Sequence, residues 1–252
     1  MSNNRSSGGY FSKDADKLIY SSDKSGIFNI YEVDLSTNEE TQLTDSKEES
    51  FFVRGYSPNT GEVIYSADKG GNENSHIYLI REGNSIDLTP GENTKASYVG
   101  WTNDELGMYI ISNSRDPRFF DLYKIDIVTL ESEMVFKNDI GYNLNSISNN
   151  DRYLVLSLNL SRSEQKLFLY DVRSNQQVEI SNQAANFSGQ NFDKNDENYF
   201  YTTNYDSEFY YLMSYNLKNG ERSTVYKTNW DVAFSYLSKN NSNYFDDRKR
   251  WW

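Results

Sequence analysis

The stretch NIYEVDLSTNEETQLT, Asn29 to Thr44, decides the fold. It reads as an apolar strand, a polar turn and a second short strand, and by itself it holds no catalytic pattern. Versions of it return as HIYLIREGNSIDLT from His76, DLYKIDIVTLESEMVF from Asp121, KLFLYDVRSNQQVEIS from Lys166 and YLMSYNLKNGERSTVY from Tyr211. Superposing the five hairpins sets Ile30, Ile77, Leu122, Leu167 and Leu212 in one column, spaced 47, 45, 45 and 45 residues apart.

The repeat extends upstream. LIYSSDKSG, VIYSADKGG, YIISNSRDP, LVLSLNLSR and YFYTTNYDS align Ile19, Ile64, Ile110, Val155 and Phe200. Before them comes a third column, Phe11, Tyr56, Trp101, Ile147, Phe192 and Leu237, which occurs six times. Each unit is thus four short strands joined by Ser, Asn, Asp and Gly turns, with no helical period to interrupt them. A four-stranded repeat of about 40 to 50 residues is the signature of a β-propeller blade.

The strands LIYSS and LFLYD carry apolar residues on both faces, as expected of a sheet covered on both sides by its neighbours. A lone four-stranded sheet cannot bury both faces, so the unit is copied until the copies bury one another. The expected fold is an all-β propeller with five complete blades, at residues 8–46, 50–92, 95–140, 142–184 and 186–228, and the start of a sixth at 231–245. Residues 1–7 read as a flexible tail. The continuation DDRKRWW departs from the apolar pattern, so 246–252 read as a divergent tail that holds a small anion or makes a hydrophobic contact, or is simply a ragged end. The expectation is an incomplete or open ring, or a part of a longer propeller.

Composition narrows the function classes. Of 252 residues 37% are hydrophobic and 15% aromatic, including 21 Tyr and 14 Phe, which excludes a disordered chain. The 25 Lys and Arg against 37 Asp and Glu give a net charge of −12, repelling phosphate backbones and anionic headgroups, so neither nucleic acid nor a membrane is an expected partner. The absence of cysteine rules out disulfides and thiolate metal sites. No segment approaches the roughly 18 apolar residues of a membrane-spanning helix. A cytoplasmic location is the default expectation, with periplasmic or secreted placement left open.

Candidate site residues are few. His76 is the only histidine, and its place at the start of a strand favours a polar edge role over that of a proton carrier. The loop DKGGNENSH, Asp68 to His76, gathers oxygen ligands, but their order does not fit a calcium loop, and Gly70 and Gly71 suit a turn with positive φ. The loop SNSRDPRFFD, Ser112 to Asp121, places Arg115 and Arg118 beside Phe119 and Phe120, a set able to hold a peptide carboxylate or to stack on a side chain. The same arginines can instead tie blades together through Asp116 or Asp121. Asp34, Asp126 and Asp171 recur just after the third strand, where a carboxylate accepts backbone N–H bonds and fixes a turn; Arg81 and Asn216 stand at the equivalent positions.

The elements FSKDADKLIYSS, SPNTGEVIYSADKGGNENSHIYL, DLTPGENTKASYVGW, SNSRDPRFFDLYKID, SEFYYLMSYNL and NWDV, between about Tyr10 and Phe245, resemble the N-terminal propeller of prolyl oligopeptidase family serine peptidases, particularly the acylaminoacyl-peptidase-like branch. The blades are also similar to TolB-type repeats. The resemblance implies a propeller that sits over a C-terminal α/β-hydrolase domain and filters peptide access to it, so the implied partners are that domain and a peptide or protein. It also implies an acidic residue that meets a substrate amine, for which Glu208 in SEFYYL is the candidate, although no double-Glu motif accompanies it. No Gly-x-Ser-x-Gly nucleophile elbow occurs in the chain. The expectation is a chain without catalysis or cofactor of its own; a stand-alone TolB-like scaffold for protein or peptide binding is the alternative, and a hydrolase working with carboxylates alone stays open.

Overall fold

The computed structural model describes residues 4–181, 183–237 and 243–248. The chain forms two compact units, Met1–Ile140 and Gly141–Trp252. In the first, blade one holds β1 (Ser6–Phe11), β2 (Lys17–Ser22), β3 (Asn29–Asp34) and β4 (Glu40–Gln42). Blade two holds β5 (Phe52–Tyr56), β6 (Val63–Ala67), β7 (His76–Arg81) and β8 (Asn84–Asp87), and blade three β9 (Ala96–Trp101), β10 (Gly107–Asp116), β11 (Phe119–Asp126) and β12 (Ser132–Phe136). Each is an antiparallel meander of four strands in sequence order.

The second unit repeats the plan. Blade four holds β13 (Asn143–Ile147), β14 (Tyr153–Asn159), β15 (Gln165–Asp171) and β16 (Gln176–Glu179). Blade five holds β17 (Phe187–Phe192), β18 (Asn198–Thr203), β19 (Tyr211–Asn216) and β20 (Arg222–Tyr226). A two-stranded sheet follows, β21 (Asp231–Leu237) paired with β22 (Asn243–Arg248). β22 thus includes three residues of the stretch DDRKRWW that reads as a tail; residues 249–252 lie outside the described residues. No helix occurs among the described residues, and the fold is an all-β propeller of four-stranded blades.

The repeat columns explain the core. Ile30, Ile77, Leu122, Leu167 and Leu212 are all at most 2% exposed. Removing one such side chain from water contributes about 1.5–3 kcal/mol. The third column pairs with Leu18, Val63, Met108, Leu154 and Tyr199 on the second strands, one pair per blade.

The second column needs a correction at blade three. Counting two residues back from the partner of each third-strand column residue gives Ile19, Ile64, Tyr109, Val155 and Phe200. Tyr109, not Ile110, is therefore the equivalent residue. Both are buried, at 5% and 2% exposure, because β10 is covered on both faces, and apolarity alone does not fix its register.

The blades of each unit meet through apolar seams. Ile19, Ile30, Val53, Val63 and Tyr65 join blades one and two, and Ile64, Ile77, Leu79, Met108 and Ile125 join two and three. Val155, Leu167, Phe187, Tyr199 and Tyr201 do the same for four and five. Polar pins fix the stacking. Val53 N–H donates to the buried Ser21 hydroxyl at 2.8 Å, and Tyr56 OH donates to Glu32 at 2.8 Å. In the second unit the Asp196 carboxylate of blade five accepts the N–H groups of Asn149 and Asn150, each at 2.8 Å.

Two turn devices recur. The Leu-Thr ending of the hairpin returns its hydroxyl to the third strand, where Ile30 and Ile77 N–H donate to Thr44 and Thr89 Oγ1 at 2.9 Å and Leu167 N–H donates to Ser181 at 3.2 Å. The carboxylates of Asp34, Asp126 and Asp171 accept the backbone N–H groups two and three residues on, and Asn216 does the same with its amide oxygen. Arg81, in the equivalent position, instead grips Glu62 at 2.5 and 2.9 Å.

Hydrogen bonds from Ser36 and Thr37 hold the Asp34 carboxyl down to about 2, against an ordinary 3.8. A value depressed on folding means that the stabilisation is complete above the ordinary value and is lost as pH falls through the folded one. NMR titration of the side-chain carboxyl should place Asp34 near 2, with Asp126 and Asp171 also below 3.8. Asp34→Asn should keep the turn, as Asn216 does, and remove that pH dependence. A midpoint for Asp34 at or above 3.8 would contradict the turn assignment.

Candidate functional site

The hairpin of blade three reaches beyond its own sheet. β10 pairs with β9 only as far as Ser112, yet β10 and β11 remain paired to Asp116 and Phe119, so Asn113 to Arg118 project past the first strand. Between Ser112 and Asp116 the pairing skips, three residues of β10 standing against one of β11. Such a bulge re-aims the side chains it contains.

Arg115 lies in the bulge and turns back to the sheet. Its Nε and Nη2 donate to Asp121 at 2.6 and 2.8 Å, Nη2 also donates to the Asn138 carbonyl at 3.0 Å, and Nη1 lies 3.2 Å from Asp139. Asp121 is fully buried and also accepts the Asn138 N–H at 2.7 Å. A carboxylate without solvent contact requires such partners. The hydrogen bonds to Asp121 in turn hold the Arg115 guanidinium above its ordinary value.

Arg118 takes the opposite course. It is 74% exposed and clamps Asp116 at 3.0 and 2.7 Å, with its guanidinium 5.2 Å from the centre of the Phe119 ring. Those bonds hold the Asp116 carboxyl below the usual carboxylate range. Phe119 and Phe120 are half-buried, and the Phe120 carbonyl accepts the Asn138 side-chain amide at 3.1 Å. The loop therefore brings Arg118 and Phe119 together at the surface, while Arg115 serves the interior.

Glu208 belongs to the other unit, on the equivalent loop of blade five between β18 and β19. That loop is held by Ser207 N–H to the Asn204 carbonyl at 3.1 Å and Tyr210 N–H to Asp231 at 3.0 Å. The Glu208 carboxylate is exposed and has no hydrogen-bond or ion-pair partner among the described residues.

The remaining candidates resolve into local structure. His76 Nδ1 lies 2.7 Å from Asp87, whose other oxygen accepts the Thr89 N–H, so the histidine closes the β7–β8 hairpin. Gly70 and Gly71 adopt φ of 61° and 72°, and Glu73 N–H donates to Asp68 at 3.0 Å within the same turn. Among the described residues no three acidic or histidine side chains converge as metal ligands. Sequence reading passes over Arg54, in FFVRGYS; its signal is a lone charge between apolar residues on a first strand.

The two arginines should behave differently in a thermal melt. Arg115→Gln strips a buried carboxylate of its cation and should lower Tm by several degrees, on the order of 5 °C. Arg118→Gln, on the surface, should stay within about 1 °C of the parent. Equal losses would show that Arg115 is not the partner on which Asp121 depends.

Residues 44–234 match the family model of the prolyl oligopeptidase N-terminal β-propeller domain. A dipeptidyl aminopeptidase BIII from Pseudoxanthomonas mexicana is 33% identical over 102 residues, 39% of this chain and 14% of that protein. Prolyl oligopeptidase B from Galerina marginata, solved with a 35mer substrate, superposes with a TM-score of 0.63 at 14% identity, over 94% of this chain and 37% of that one. TolB from Acinetobacter baumannii superposes at 0.52 with 18% identity, over 87% and 53%. At such identities the superpositions speak for the fold alone, and the chain spans well under two thirds of each of these relatives. The family match covers more than half of the sequence, and the chain belongs to the prolyl oligopeptidase N-terminal β-propeller family.

Proposed function

We propose that this chain is the non-catalytic propeller portion of a prolyl oligopeptidase-like serine peptidase, admitting and filtering peptides for an α/β-hydrolase domain. The observation that carries the reading is the family match over residues 44–234, which is to the propeller domain of such peptidases. The exposed Arg118 beside Phe119 and, on its own unit, the exposed Glu208 carboxylate each support a peptide as ligand. A guanidinium over an aromatic ring suits a carboxylate or a side chain, and a lone carboxylate suits an ammonium group.

A stand-alone TolB-like scaffold for protein or peptide binding is the second reading; it has the same blade fold behind it. The first reading predicts that the coding sequence past Trp252 continues into a hydrolase domain with a Gly-x-Ser-x-Gly elbow. It also predicts that the purified chain binds peptides of a few residues in calorimetry without hydrolysing them. Arg118→Ala with Phe119→Ala should weaken that binding by about fivefold, the loss of roughly 1 kcal/mol. Absence of peptide binding would overturn the peptide reading, and turnover by the pure chain would overturn its non-catalytic part.

A further inference from the structure

Each first strand carries a β-bulge against the second strand of its blade. In the Met1–Ile140 unit the pairing skips at Gly8–Gly9 in blade one, at Arg54 in blade two and at Val99 in blade three. Arg54 and Val99 are exposed although both neighbours of each are buried or half-buried: Val53 and Gly55 in one case, Tyr98 and Gly100 in the other. The bulge thus turns one side chain out of the packed faces of the blade. In blade two that side chain is a guanidinium.

Arg54 is anchored at one end and unoccupied at the other. Its Nε–H donates at 3.0 Å to Ser66 Oγ, on a residue only 4% exposed. Its two Nη groups make no hydrogen bond or ion pair among the described residues. The other four arginines of the unit, Arg5, Arg81, Arg115 and Arg118, each hold a carboxylate. Within this unit Arg54 is therefore the one arginine, among the described residues, that holds no carboxylate. A guanidinium fixed through Nε presents Nη1 and Nη2 as a fork that matches the two oxygens of a carboxylate. Next to it in sequence, a Cβ at Gly55 would come within 3.8 Å of the Tyr10 ring, which is 37% exposed.

We propose that Arg54 is a carboxylate-binding position on the first-strand edge of blade two, taking the C-terminal or side-chain carboxylate of a peptide; this rests on the peptide reading above. The test follows the Arg54 Nε–Hε resonance of the full chain by NMR during titration with three probes: acetyl-trialanine acid, its C-terminal amide, and an amidated acetyl-Ala-Glu-Ala. The acid should shift the resonance and bind about tenfold more tightly than the amide, and Arg54→Gln should abolish that preference while Arg5→Gln, at a surface arginine already paired with Asp23, keeps it. Response to the glutamate peptide as well assigns both carboxylate sources, and response to the acid alone assigns the C-terminus. If the peptides bind but acid and amide are equivalent, or if the preference survives in Arg54→Gln, Arg54 is not the site although the peptide reading stands. If no peptide binds, both fall.

Discussion

A four-stranded sheet whose second and third strands are apolar on both sides has to be covered on both sides, and the rest of this molecule follows from that requirement. β6 is the plainest case, since all five of its residues, Val63 to Ala67, are buried. One face packs toward blade one through Val63 and Tyr65, the other toward blade three through Ile64. No single blade has a helix or an extra layer to do this for it, so the chain repeats the sheet. The buried hydroxyl of Ser21 adds direction to an otherwise slippery apolar contact, because it accepts one defined backbone N–H from blade two.

The same frame leaves chemistry to the loops. Turn carboxylates such as Asp34 and Asp126 are consumed by backbone N–H groups, and Asp121 is consumed by Arg115 and Asn138. Among the groups outside those turns are the exposed Arg118 beside Phe119, the Glu208 carboxylate and the fork of Arg54. These are groups suited to holding the ends and side chains of a peptide, which agrees with membership of a family of peptidase propellers. Resemblance to TolB reflects the shared blade, and blade architecture serves unrelated functions.

The fold was legible because the repeat writes the same physical demand five times. Ile30 and its four equivalents could be aligned without ambiguity, since polar turn residues bracket each of them. The slip at Ile110 has the opposite cause: Met108 to Ile111 is an unbroken apolar run, and a strand buried on both faces carries no alternation to mark its register. The site was less legible. Ser112 to Asp121 stood out by residue type, but type cannot say that the bulge would send Arg115 inward and leave Arg118 outside. Arg54 escaped because its meaning depends on a missing neighbour, and a sequence shows residues rather than vacancies. β22 escaped because DDR lacks the apolar pattern of the earlier second strands.

Blade two alone tests mutual coverage most directly. A synthetic peptide of residues 50–92 should give the far-UV circular dichroism of an unfolded chain and no cooperative melt, while the full chain shows strand content lost in a cooperative transition. A cooperative melt of the isolated blade, with strand content matching its share of the whole, would contradict the account, because the sheet would then be stable with both faces in water.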